Sequence, residues 1–353
     1  VKGAYLSDPL HVLVTGATGT IGGALLRRWA ALGIGRLGEV QLTALVRSPG
    51  SPAAQTLEKL GIRLVTGDLA SPDAARAALQ GQQVVVNAAG GLRPQDAAGL
   101  YRAASEAGVE RLIAFSSLLV YGSQALAGED NLPQTTGDPP TDLSLETERA
   151  LRAAEAAGRT QVIILRLAPV YGPGVPRWTV EPITQAQRRR LGVPGSGAYA
   201  FPYLYIENLV DAVTAAVAAQ TCDTVDVFDG VTTYSAFMGH YARMTGTQLR
   251  SQPLPLLLGA GWLQESLSRV LGRAPHFTRG GLRSLLRALP GDPPRAEKAL
   301  RLLGWQPRVS LEEGMALIER SNGFHHRGEE KREPNPWVEN SDWKDEDHAS
   351  EGG

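Results

Sequence analysis

Three glycines spaced three residues apart, Gly16, Gly19 and Gly22 in "VTGATGTIGG", are the first residues whose types and spacing suit chemistry. They close an apolar run, "HVLVTG" (11–16), and open a helix-period stretch, "IGGALLRRWAALG" (21–33). At a strand-turn-helix junction this spacing lets the backbone turn tightly, approach a pyrophosphate and pack the helix on the sheet, with the helix N-terminus facing the anion. The other reading is a tight turn that binds nothing. Ser117 ends a later apolar run, "RLIAFSS" (111–117), where a hydroxyl is placed to hold a substrate oxygen; it equally suits closing the strand's own backbone bonds.

Two further positions bear on which dinucleotide is expected. The second apolar run ends "LTALVRSPG". An acid near this point holds a free ribose 2′-hydroxyl, whereas a 2′-phosphate needs a cation. Val46 stands where the acid would be and Arg47 follows it, so NADP is expected ahead of NAD. The plain alternative makes Arg47 an exposed residue after a strand. Asp68, in "TGDLASP", ends the third run and either accepts from the adenine amino group or serves as a helix cap or turn residue before Ser71.

These positions need a scaffold, and the chain supplies one. Strand-length runs "HVLVTG", "VQLTALVR" (40–47), "IRLVTGD" (62–68), "VVVNAAG" (84–90), "RLIAFSS" and "QVIILRL" (161–167) alternate with helix-period stretches. Continuous Val/Ile/Leu strands between helices predict an α/β fold, a Rossmann-type doubly wound parallel sheet covered on both faces. From about residue 176 the texture changes to Pro/Gly-rich, and 236–323 is largely helical, which predicts a small, mostly helical C-terminal lobe. The expected division is a dinucleotide domain over 10–175 with 204–232 returning to it, a small lobe over 176–203 and 233–323 that the family resemblance described below makes the substrate cap, and a disordered acidic tail over 324–353. That tail carries Trp337 and Trp343, which suggest docking on a protein partner or on the body of the protein.

Composition excludes other classes. Lys plus Arg number 35 and Asp plus Glu 36, so the chain has no global field to attract nucleic acid or an anionic membrane. No apolar run reaches the roughly 18 residues of a membrane span, and no signal-peptide pattern opens the sequence. Cys222 is the single cysteine, which rules out an internal disulfide and thiolate metal clusters and favours a reducing compartment. The six histidines show no ligand spacing, so no metal site is expected. A cytoplasmic protein with a small-molecule substrate is the resulting expectation.

Taken together, "VTGATGTIG", "GDL", "VVVNAAG", "FSSLLVYG", "LRLAPVYGPG", "LYIENLVDAV" and "LGWQPRVSLEEGM" resemble the extended short-chain dehydrogenase/reductases, the NAD-dependent epimerase/dehydratase family, over about residues 10–320. The resemblance implies that the loop Gly16, Thr18, Gly19, Thr20, Ile21 and Gly22, together with Asp68, Leu69, Asn87, Ala88 and Ala89, lines the cofactor. It puts Ser117, four residues before Tyr121, on the family's catalytic Ser/Thr. It also suggests a homodimer formed through a helix bundle.

The same resemblance exposes a departure. The family's Y-x-x-x-K pair passes a proton to or from the substrate oxygen through a phenol whose pKa the lysine lowers. In "DPPTDLSLETERAL" (138–151), Pro140 falls at the tyrosine and Ser144 at the lysine. No tyrosine occurs between Tyr121 and Tyr171 and no lysine between Lys59 and Lys298, so no shift of register restores the pair. Asp138, Asp142 and Glu146 are the local acids, the last two reading best as a helix cap and a first-turn acid. Tyr121 and Tyr171 read as packing or turn residues, and the Arg188 to Arg190 run as a solvated helix end or a phosphate contact. Two classes of function follow: a non-catalytic dinucleotide binder, of the kind seen in NmrA-like redox sensors or the Rossmann-type accessory subunit of respiratory complex I, or a redox enzyme or epimerase. The second would act on a carbonyl or alcohol of a sugar nucleotide or similar small molecule, using Ser117 and an unconventional proton source.

Overall fold

A computed structural model of the chain describes residues 9–34, 40–69, 71–124, 131–259 and 296–324. The tail expected over 324–353, with Trp337, Trp343 and the adjacent His325 and His326, lies outside the described residues apart from Phe324.

Strands β1 (Leu10–Thr15), β2 (Val40–Val46), β3 (Arg63–Thr66), β4 (Val84–Asn87), β5 (Arg111–Ser117), β6 (Gln161–Leu167) and β10 (Thr224–Val227) form one parallel sheet. Its order is β10-β6-β5-β4-β1-β2-β3. The order reverses between β1 and β4, and the carboxyl side of that switch is where doubly wound sheets bind ligands. Helices α1 (Thr20–Ala31), α2 (Pro52–Lys59), α3 (Pro72–Leu79), α4 (Pro94–Glu106) and α5 (Pro139–Glu155) supply the crossovers. Four of them, α2 to α5, carry proline in the first turn, where its missing N–H would have no intrahelical partner in any case.

Two buried layers hold the sheet. Leu25, Leu26, Trp29 and Leu57 pack with Val12, Val14, Val86 and Ile163 on one face, joined by α7 (Ile206–Ala218) through Leu209 and Val213. Leu79, Leu100, Tyr101 and Leu151 pack with Leu13, Val85, Leu112 and Ile164 on the other. Each fully buried Leu or Val contributes on the order of 1.5–3 kcal/mol, which outweighs the small helix propensities of any single segment. The uninterrupted apolar strands of the sequence are thus explained by burial on both sides.

The remaining strands build the lobe. Strands β7 (Val170–Tyr171), β9 (Ala200–Tyr205) and β11 (Gly230–Thr233) form a second sheet in the order β11-β9-β7, and β8 (Gly192–Pro194) pairs with β12 (Arg250–Gln252). Helices α6 (Glu181–Gln187) and α8 (Tyr234–Met244) lie with them. Residues 204–232 run from the end of β9 through α7 and β10 into β11; β11 pairs with β9, and β9 also pairs with β7. The helical C-terminal region expected over 236–323 is present among the described residues, with short strands beside it. Short strands without alternation leave no period to read.

The segment after α9 (Glu297–Leu303) is fastened to α7 chiefly through Asn208, with Arg308 also paired to Asp211 at 3.7 Å. Asn208 donates from Nδ2 to Val309 O at 2.8 Å, accepts at Oδ1 from Arg308 N and Val309 N, and its carbonyl accepts from Trp305 Nε1 at 3.0 Å. Helix α10 (Leu311–Ser321) then starts with a reciprocal cap between Ser310 and Glu313.

Candidate cofactor and substrate site

The glycine loop joins β1 to α1 at the carboxyl edge of the sheet. Gly16 has φ +60°, and a Cβ there would lie 2.5 Å from the carbonyl carbon and oxygen of Ala88. Gly22 lies so close to Gly16 O that a side chain at 22 would meet it. Gly19 N donates to Gly16 O at 2.9 Å and Gly19 then caps α1 with extended backbone. These contacts press the turn against the end of β4 and leave the first N–H groups of a twelve-residue helix aimed out of the loop. The donor set fits a pyrophosphate: Thr18, Thr20, Ile21 and Gly22 would surround it with backbone and hydroxyl groups.

The neighbouring strand ends frame the same edge. Thr15 Oγ1 donates to Asn87 Oδ1 at 2.6 Å, both side chains being buried, and Ala88 N donates to Thr15 O at 3.2 Å. Asn87, Ala88 and Ala89 are thereby held against the loop. Arg47 and Asp68 are exposed at the ends of β2 and β3, and Gly67 N donates to Val46 O at 3.0 Å, tying those two ends together. Leu69 is half-buried against the α3–α4 face. Ser71, not Asp68, caps α3, with its N–H donating to Asp68 O at 3.0 Å.

Ser117 closes β5 in register with Leu167 and is half-buried; its Oγ accepts from Leu119 N at 3.2 Å. Pro140 is exposed on the first turn of α5. Ser144, one turn on, donates its hydroxyl back to Pro140 O at 3.0 Å. Neither side chain has a titratable proton to offer near neutrality. The local acids are engaged in the turn: Asp142 accepts from Thr136 N, Thr136 Oγ1 and Gly137 N at 2.7–3.0 Å, and Asp138 is the buried N-cap, accepting from Thr141 Oγ1 at 2.7 Å. Glu146 is exposed.

Beneath this turn lies a buried polar row that sequence reading missed. Arg166 on β6 is registered against Ser116 on β5 and Asp226 on β10, so the three face the same side of the sheet, under α5. Its guanidinium donates to both oxygens of Glu148, at 3.0 and 2.7 Å, and to Tyr121 Oη at 2.6 Å; Tyr121 in turn donates to Asp226 Oδ1 at 3.0 Å. Burial, ahead of the Asp226 charge, pushes the Tyr121 phenol well up, so it stays protonated and structural. The missed signal was a charge inside each apolar run, "LRL" and "VDV": a charge there has to find a partner or leave the core.

Among the described residues no group of three or more His, Cys, Asp or Glu side chains is arranged to hold a metal, and no helix is long and apolar enough to cross a membrane.

This scaffold has known counterparts. The model of the NAD dependent epimerase/dehydratase family matches residues 12–228, and the chain belongs to that family. It is 28% identical over 343 residues to an uncharacterized protein, y4nL, of Sinorhizobium fredii, covering 88% of this chain and 94% of that one. It is 25% identical to a 2-alkyl-3-oxoalkanoate reductase of Shewanella oneidensis, with 88% and 86% covered. Among solved structures, UDP-glucuronic acid 4-epimerase from Bacillus cereus, in complex with UDP-glucuronic acid and NAD, superposes with a TM-score of 0.67 at 18% identity, covering 88% of this chain and 98% of that chain. At that identity the likeness is one of fold. The chain thus has the Rossmann-type fold of the NAD dependent epimerase/dehydratase family, and its sequence relatives include a reductase.

Proposed function

We propose that this protein binds a nicotinamide dinucleotide at the glycine loop and does not run the family's tyrosine-dependent proton transfer. The reading is carried by the pair Pro140 and Ser144, which the family resemblance aligns with the tyrosine and the lysine: on the first turns of α5 they are an exposed ring and a hydroxyl bonded to its own helix. A positioned acid or base is worth on the order of 10² to 10⁴ in rate, and Asp138, Asp142 and Tyr121 are already committed to local bonds.

Arg47 at the end of β2 supports NADP ahead of NAD, since a guanidinium there suits a 2′-phosphate. Cofactor contacts from Gly16 to Gly22, Asp68, Leu69 and Asn87 to Ala89 belong to the same reading. Cys222 as single cysteine supports a reducing, cytoplasmic setting, and the pairing of α4 with α5 on one face supports a dimer through those helices.

A second reading is favoured by Ser117, whose half-buried hydroxyl stands at the carboxyl end of β5. Here hydride passes between NADP and a carbonyl or alcohol carbon while Ser117 holds the oxygen, and a bound water or a local carboxyl gives or takes the accompanying proton in place of a tyrosine. The test is the protein loaded with NADPH and challenged with aldehydes and 3-oxo esters, and loaded with NADP⁺ and challenged with alcohols and UDP-glucose. Persistent nicotinamide absorbance supports the binder. Turnover that disappears in Ser117→Ala establishes the enzyme.

A further inference from the structure

Over residues 176–203 and 233–259 the lobe carries six arginines, one acid, Glu181, and no lysine. All six, Arg177, Arg188, Arg189, Arg190, Arg243 and Arg250, are exposed. Four of them spring from one place. Arg188 to Arg190 form the turn that closes α6, and the Arg250 N–H donates to Leu191 O at 3.2 Å, where β12 pairs with β8. None of these four side chains makes an ion pair or hydrogen bond among the described residues.

The helix dipole accounts for one of them. A cation at the carboxyl end of α6 complements its free carbonyl groups, but further guanidiniums beside it repel one another. The turn is also strained. Arg190 N donates to Gln185 O and Arg189 N to Ala186 O, both at 2.8 Å, which is the helix-ending motif that favours glycine in its left-handed position. Arg189 takes that position at φ +56°, and among the described residues it alone has a positive φ without being glycine. Strain of this kind persists where the side chain has a use.

The chain itself carries the counterpart. Segment 333–347, "EPNPWVENSDWKDED", sets six acids against Lys344 and includes Trp337 and Trp343. A guanidinium recognises both features, as a fork for a carboxylate and as a flat cation for an indole face. The tether starts beside the lobe. Gly314 of α10 backs onto Tyr171 of β7, where a Cβ would lie 2.6 Å from the phenol oxygen, and the chain leaves α10 through Phe324. From Phe324 to Glu333 an extended chain spans up to about 30 Å, against a radius of gyration of about 20 Å for a compact chain of this length. Exposed ion pairs are individually weak, yet a tether of this length raises the local concentration of the segment to the order of millimolar. A few such contacts then suffice.

We propose that the arginine surface formed by Arg188, Arg189, Arg190 and Arg250 is the docking site of this chain's own segment 333–347, held by carboxylate forks and indole stacking. The contact is independent of the dinucleotide. The experiment uses the full chain, labelled for heteronuclear NMR, with the indole N–H signals of Trp337 and Trp343 assigned through Trp337→Phe and Trp343→Phe. At about 0.05 M salt, where screening is weak, both signals should be broad and displaced from free-peptide positions. Raising salt to about 0.5 M shortens the screening length to a few ångström and should return them to sharp, free-peptide positions. Arg188→Gln/Arg190→Gln/Arg250→Gln should do the same at low salt, as should Asp345→Asn/Glu346→Gln/Asp347→Asn on the other partner. Unchanged thermal unfolding by circular dichroism shows that the variants keep the fold. Sharp free-peptide signals in the wild type at low salt would overturn the proposal; binding of phosphatidylglycerol vesicles or of a short oligonucleotide that disappears in the triple arginine variant would then give the surface to that partner. Signals that stay broad in the arginine variant would place the segment elsewhere, and broadening that grows with protein concentration would place it on a second copy; either overturns the proposal.

Discussion

Glu148 on α5 and Arg166 on β6 form a two-bond fork, Oε1 to Nε at 3.0 Å and Oε2 to Nη2 at 2.7 Å, with both side chains under a tenth exposed. Glu148 lies one helical turn beyond Ser144, so the fork fixes the segment of α5 that would present an acid–base pair. On the proposed alignment of Pro140 and Ser144 with that pair, the support is in place without it.

Breaking the fork from one side leaves a buried charge unpaired. Glu148→Ala or Arg166→Ala should lower unfolding stability by about 3–5 kcal/mol, while the apolar double substitution Glu148→Leu/Arg166→Met should lose much less. Urea unfolding followed by circular dichroism measures both. Equal losses in single and double variants would show that packing, and not the charge, sets the penalty.

Because the helix is held in place, the missing pair should be restorable. In Pro140→Tyr/Ser144→Lys the new ammonium lies one turn from the new phenol and should lower its pKa below the ordinary value of about 10. The eight described native tyrosines are all shifted up by burial, so a phenol titrating early stands out in a difference spectrum at the tyrosinate band. A phenol that titrates no earlier in the double variant than in Pro140→Tyr alone would mean that residues 140 and 144 do not face one another.

Gly16→Ala should abolish dinucleotide binding. Its φ of +60° disfavours any side chain, and the added methyl would press on the Ala88 carbonyl at 2.5 Å. Equilibrium binding of NADPH by fluorescence, with circular dichroism to confirm that the sheet survives, checks this; wild-type affinity would remove the loop from the site.

Asp229 makes stability depend on pH. Burial pushes its carboxyl up to about 7, against the bonds from Tyr205 N and Asn208 that favour the anion. An unfolded aspartate titrates near about 3.9, so between these values the folded state holds a proton the unfolded chain has released. Stability should therefore fall as pH rises from about 4 to about 7 and level off above that range. Asp229→Asn should flatten this part of a stability profile measured by urea unfolding. An unchanged slope would assign it to other groups.

Much of this was legible in the sequence because burial on both faces forces apolar strands to be continuous and glycine spacing reports the loop that joins β1 to α1. The alternation of runs predicts the parallel sheet that β1 to β6 and β10 form. The lobe was less legible: β7, β9 and β11 are two to six residues long, and their pairing depends on long-range contacts that no local period encodes. The Glu148–Arg166–Tyr121–Asp226 network escaped for a related reason. Its members are far apart in sequence and meet only once three parallel strands are in register.

The most direct measurement is a parallel titration of the purified protein with NADPH and NADH, followed by nicotinamide fluorescence. Saturable binding at micromolar NADPH, with weaker NADH and a preference that reverses in Arg47→Glu, is the predicted result. Absence of binding by either nucleotide would contradict the central claim and leave a Rossmann fold without its cofactor.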